Sequence, residues 1–109
     1  MATSPLPLPV GRALQRLGRN LSLARRRRHM SQEDLAIRIG ASVNTVRRLE
    51  EGSPGTALQH LARALQVFGE LDQLENLMDT AQDGVGLALA DERLPQRVRS
   101  RRGESSGSF

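Results

Sequence analysis

The chain has no cysteine, no tryptophan, no tyrosine and no lysine among its 109 residues, and only two aromatics, Phe68 and Phe109. Without cysteine there is no disulfide frame and no thiolate zinc site, as suits a reducing compartment. With so few aromatics the core must be built from Leu, Ala, Val and Ile, which suits packed helices better than a β-sandwich. No apolar run approaches the ~18–20 residues that span a bilayer. The start "MATSPLPLPV" lacks a basic segment followed by an apolar one, so no secretory signal is expected. His29 and His60 have no carboxylates clustered at ligand spacing, so no metal is expected; His29 reads as a turn residue and His60 as a surface or edge residue. No phosphate loop and no nucleophile–base spacing is present, so neither an enzyme nor a cofactor is expected.

All sixteen basic residues are arginine, and they are segregated. Residues 1–52 hold ten Arg against four acids; residues 53–92 hold one Arg, Arg63, against seven acids; residues 93–109 hold five Arg against Glu104. The chain is therefore basic, acidic, then basic. A basic half points to a polyanion partner, and the acidic stretch implies that only part of the surface faces it.

Three alternating prolines make residues 1–10 read as a flexible arm. From Gly11, Leu14, Leu17, Leu21 and Ala24 recur at spacings of three and four, an amphipathic helix. Ser31 reads as the N-cap of a second helix, with Glu33 and Asp34 opposing the helix dipole and Gly40 stopping it. Ser42 caps a third, with Val46 and Leu49 inward and Gly52 and Pro54 at its end. Thr56 opens a fourth with Leu58, Leu61, Ala62, Leu65 and Phe68 on one face, and a fifth carries Leu71, Leu74, Leu77 and Met78 to about Thr80. The fold class is all-α with five helices. Beyond residue 80 the periodicity fades: Val85, Leu87 and Leu89 form an apolar patch read as a short strand or a partner-ordered segment. The end is expected to be disordered. The division is an arm over 1–10, a domain over 11–80 and a tail over 81–109.

Two short helices joined by "IGAS" carry the functional signal. In "QEDLAIRIGASVNTVRRLEEG" the small Ala36 permits close approach and Gly40 permits a left-handed turn. This stretch resembles the helix-turn-helix of the Xre/Cro family, the lambda-repressor-like fold of phage repressors and their relatives. The family pattern is met at Ser31, Gln32, Leu35, Ala36, Gly40, Ser42, Thr45, Val46, Leu49, Glu50 and Gly52, and the resemblance covers about residues 12–80. Two departures stand out. The family often has a polar or basic residue where Val43 stands, and a glycine where His29 stands.

The resemblance implies that the second helix of the motif enters the DNA major groove with its N-terminal residues against base edges. Val43, Asn44 and Thr45 occupy that turn, and Arg47 and Arg48 lie one turn on. Asn44 and Arg48 are the expected base readers, since Asn pairs bidentately with adenine and Arg with guanine. Val43 would touch a thymine methyl, and Arg47 would stand at the groove edge. Gln32 and Ser42, at helix N-termini, suit phosphate oxygens.

The run "ARRRRHM" divides by helical phase, since ~100° per residue spreads Arg25 to Arg28 over about 300°. Arg25 continues the Leu14–Leu17–Leu21 stripe toward the domain body, which leaves Arg26, Arg27 and Arg28 to solvent or phosphate. The resemblance further implies a partly buried ion pair between Arg25 and Glu50. It also implies a homodimeric repressor on an inverted-repeat operator of double-stranded DNA, in the cytoplasm and associated with the nucleoid. "EEGSPGTALQHLARALQVFG" followed by "DGVGLALADERLPQRVR" is similar to antitoxins of the HipB type, whose partner is a HipA-like kinase toxin. A stand-alone phage-type regulator is the other reading.

Overall fold

A computed structural model describes residues 5–79 and 83–90. Six helices are present among the described residues: α1 (Leu8–Arg27), α2 (Gln32–Ile39), α3 (Val43–Glu50), α4 (Leu58–Phe68), α5 (Leu71–Glu75) and α6 (Gly84–Ala90). The described residues contain no strand. Contacts divide the chain into two units, Met1–Glu75 and Asn76–Phe109, the first holding α1–α5 and the second α6. Among the described residues no helix is long and apolar enough to cross a membrane, and no group of His, Asp and Glu is placed to hold a metal ion.

The core of the first unit is aliphatic: Leu21, Met30, Leu35, Ala36, Ile39, Val46, Leu49, Ala64 and Phe68 are buried together. Leu35, Ile39 and Val46 are its largest fully enclosed side chains. All three belong to the α2–α3 pair, so burial worth ~1.5–3 kcal/mol per side chain fixes how those two helices cross. Phe68 closes the core from the end of α4, where Gly69 terminates the helix.

Helices α1, α2, α3 and α4 end by one device. The residue after the final turn adopts positive φ, and its own amide and the next one bond back to carbonyls of the last turn. In α2 the turn residue is Gly40, with φ 68° and Ala41 N–H donating to Ala36 O at 2.9 Å. At the end of α1 the residue is His29, with φ 56° and Met30 N–H donating to Arg25 O at 3.2 Å. A histidine thus occupies a left-handed position that glycine would fill without strain.

Four boundaries differ from the sequence expectations. α1 begins at Leu8, not Gly11, because Pro9 falls in the first helical turn, where its missing N–H has no bond to lose; the arm is therefore shorter than residues 1–10. α4 begins at Leu58 after an Ala57 cap residue, two positions beyond Thr56. α5 stops at Glu75, and Met78 has left-handed φ of 58°. The Val85–Leu89 patch is helical rather than a strand, which makes a sixth helix. The period-two pattern there was misleading: Asp83 accepts a bond from Gly86 N–H at 2.9 Å, a side-chain cap, and the following Leu and Ala are strong helix formers. The remainder of the tail, 91–109, lies outside the described residues.

Candidate nucleic-acid interface

α2 and α3 are set by their caps. The Ser31 hydroxyl accepts from Asp34 N–H at 3.0 Å, and the Asp34 carboxylate accepts from Ser31 N–H at 2.9 Å, a reciprocal capping box. Those two bonds, with Arg38 one turn on, hold the Asp34 carboxyl below the usual carboxylate range. At α3 the Ser42 hydroxyl accepts from Thr45 N–H at 3.1 Å and pairs with the Thr45 hydroxyl at 3.0 Å. Ser42→Ala is expected to cost about 1 kcal/mol of stability, the ordinary loss of an N-cap. A thermal melt reads it, and an unchanged midpoint would show that the cap contributes nothing.

Behind α3, the expected pair between Arg25 and Glu50 is present. Arg25 Nε donates to Glu50 Oε2 at 2.6 Å and a second guanidinium nitrogen donates to Oε1 at 3.1 Å. The third guanidinium nitrogen donates to Met30 O at 2.6 Å. Both side chains are nearly enclosed, with 10% and 6% of their surface exposed. Burial pushes the Glu50 carboxyl up, but the bonds from Arg25 and Gln32 outweigh it and hold it below the usual range. One guanidinium therefore ties the end of α1, the α1–α2 turn and the end of α3 into one frame.

Gln32 is part of that frame. Its side-chain amide donates to Glu50 Oε1 at 3.0 Å, which uses one of its two N–H donors internally. Val43 is half-buried and packs against the core, leaving only part of its surface outward. Thr45 is half-buried, its hydroxyl paired with Ser42. Asn44, Arg47 and Arg48 are exposed on α3, and Arg47 donates to Asn44 Oδ1 at 3.3 Å. The structure therefore brings Asn44, Arg47 and Arg48 to one outward face of α3, with Ser42 exposed at its N-terminus. It gives Gln32, Thr45 and part of Val43 internal partners.

The arginine run separates further than the sequence predicts. Arg28 is exposed, as its phase predicts, and it also donates to Ala24 O at 2.9 Å and Phe68 O at 3.0 Å, with its guanidinium carbon 4.9 Å from the Phe68 ring centroid. It joins the end of α1 to the end of α4. Arg63 similarly donates to Ile39 O at 3.2 Å, satisfying a carbonyl at the end of α2.

Sequence reasoning missed one part of the outward surface. A cavity of about 180 Å³ is lined by Thr45 and Arg48 of α3, Gly55, Thr56 and Ala57 of the α3–α4 loop, and His60 of α4. Thr56 Oγ1 and His60 Nδ1 are buried within the protein with no hydrogen-bond partner. His60 is half-buried, in keeping with an edge position, and borders this cavity. Its position between Leu58 and Leu61 contained no signal of that; only the path of the loop around α3 creates it.

A family model described as a helix-turn-helix domain matches residues 16–77, more than half of the chain. No curated protein and no solved structure matches it.

Proposed function

The chain belongs to a helix-turn-helix domain family, and from that premise we propose that it is a sequence-specific transcriptional repressor acting by binding rather than catalysis. The observation that carries this reading is the outward face of α3. Asn44, Arg47 and Arg48 stand exposed there without any acidic neighbour in the helix before Glu50, on an element locked from behind by Arg25 and Glu50. A cationic, amide-bearing helix held rigid and unpaired suits a groove lined with acceptors and flanked by phosphates. Asn44 reads a base edge, and Arg47 braces its carbonyl oxygen. The outer part of Val43 meets a thymine methyl. The backbone at the starts of α2 and α3, beside Gln32 and Ser42, faces the phosphates.

Two copies on an inverted repeat would place their α3 helices about 10 bp apart, or a multiple of that. The same reading extends to an autoregulating antitoxin with a HipA-like kinase toxin. It is supported by the exposed apolar side chains Leu77, Met78, Val85 and Leu89 in the second unit, a surface suited to a second copy or a toxin. A neighbouring kinase-like protein should co-purify with the full chain and be lost on truncation after Thr80. With no partner retained, a stand-alone phage-type regulator is what remains.

Footprinting on the protein's own promoter should show paired protected half-sites whose occupancy falls steeply with salt. Asn44→Ala should lower discrimination at one base pair by ~1–3 kcal/mol while leaving affinity for random duplex nearly unchanged. Equal weakening on every duplex would remove Asn44 from base reading, and no protection anywhere in the promoter would refute autoregulation.

A further inference from the structure

The outer side of α1 carries a long basic stripe. Leu8, Arg12, Arg16, Arg19 and Leu23 recur at spacings of four, four, three and four, so they share one face of the helix. All five are exposed, and the buried Gly18 and Leu21 lie on the opposite face. The helix contains no acid, and among the described residues the one ion pair is that of Arg25 with Glu50. Like charges three and four residues apart repel along a helix, and the dipole favours arginine only in the last turn. Arg12 and Arg16 stand in the first half, so α1 itself is weakened by them. An anionic partner outside the helix would turn that repulsion into attraction. The chain holds a matching surface. Asp72 and Glu75 are exposed three residues apart on α5, which has no basic residue in its last turn. Glu75 ends that helix, where the dipole disfavours an anion. Exposed Leu77, Met78 and Asp79 follow directly in sequence. One surface is basic with leucines at its ends, and the other is acidic with apolar side chains in its sequence.

We propose that the α1 stripe docks on the acidic segment Asp72–Asp79 of a second copy of this chain. Exposed ion pairs are individually weak, so the contact needs several of them together, with Leu8 or Leu23 covered by Leu77 and Met78. It forms a weak, salt-sensitive assembly rather than an obligate one. This contact takes up the second-copy reading of Leu77 and Met78 given above and uses no DNA, so promoter footprints decide the repressor reading and self-association decides the contact.

Sedimentation of the nuclease-treated full chain over about a hundredfold range of concentration tests it. The wild type should self-associate in about 0.1 M salt and dissociate in about 1 M salt, where the Debye length falls from about 10 Å to about 3 Å. Two charge-reversed chains are compared with it. One carries Arg12→Glu, Arg16→Glu and Arg19→Glu, and the other Asp72→Arg, Glu75→Arg and Asp79→Arg. Each alone sets like charges across the contact and should associate about tenfold more weakly or worse. Mixed in equal amounts they set opposite charges across it again, and they should associate with each other about as tightly as the wild type does. All six positions are exposed, and melting curves check that both chains fold. Where a triple variant fails to fold, the single pair Arg16→Glu and Glu75→Arg takes its place. A wild type that stays monomeric in low salt would overturn the proposal, as would a mixture that associates no better than its separate components. Self-association that disappears on nuclease treatment would also overturn it, and would give the α1 stripe to nucleic acid instead.

Discussion

Gly18→Ala should destabilise the domain by about 2–3 kcal/mol net, although it adds only one methyl group. Gly18 lies in the middle of α1, where alanine would ordinarily gain up to ~1 kcal/mol in helix propensity. Here the helix faces the end of α3, and a Cβ on Gly18 would overlap the Glu50 carbonyl oxygen, with the Gly52 amide beside it. The obstacle is backbone on both counts, so no rotamer change relieves it. Gly52 meets α1 from the other side, with φ of 75° and the Leu14 carbonyl within 2.5 Å of where its own Cβ would stand. The two glycines thus let α1 and the end of α3 touch backbone to backbone. Overpacking of a tight contact costs ~1–3 kcal/mol or more, and here it also pulls Glu50 away from Arg25. A melting midpoint lowered by roughly 10 °C or more is expected, given ~4–8 °C per kcal/mol in a domain of this size. A midpoint that rises would show that the helices part freely and that propensity decides.

That contact marks the limit of what the sequence discloses. The α2–α3 pair was legible because each cue is local: a serine before the helix, acids in its first turn, a glycine after it, and apolar residues at the right spacing. Arg25 facing inward followed from the phase of α1 alone. Gly18 was not legible as a contact point, because in a leucine stripe it reads as a gap, and only the approach of a distant backbone gives it a task. The contact of Arg28 was not legible for the same reason: phase turns it outward, and Phe68, forty residues on, lies there to receive it. The helical form of residues 84–90 was hidden by an alternation that fits both periods, and an aspartate cap decided it. On the candidate interface, Asn44, Arg47 and Arg48 were placed outward by spacing, whereas the internal engagement of Gln32 depends on Glu50, eighteen residues away.

Arg25→Met should cost about 3–5 kcal/mol at neutral pH, because it strands a buried carboxylate. The variant loses both bonds to Glu50 and the one to the Met30 carbonyl. Only the neutral donors Gln32 and Ser22 would remain at Glu50. The pH dependence separates this cause from lost packing. In the wild type the Glu50 carboxyl is held below its ordinary value of 4.5, so its contribution is complete above that value and is lost as pH falls through the folded one. In Arg25→Met the burial that opposes ionisation acts unchecked and raises the same carboxyl, which then protonates earlier on acidification. Wild type should therefore lose stability as pH falls below about 4.5 while the variant loses less, and the gap between them should narrow. Denaturant melts at several pH values measure it. A gap that stays constant to pH 3 would mean that the arginine acts through its packing and its bond to Met30. The double variant Arg25→Met, Glu50→Met should recover most of the loss, since an apolar pair of similar volume removes the stranded charge. Recovered stability does not imply recovered function: with Glu50 gone, Gln32 and the end of α3 have no common anchor. The double variant is expected to fold well yet to bind DNA less selectively, because an apolar contact does not fix the angle of α3 as a two-bond fork does.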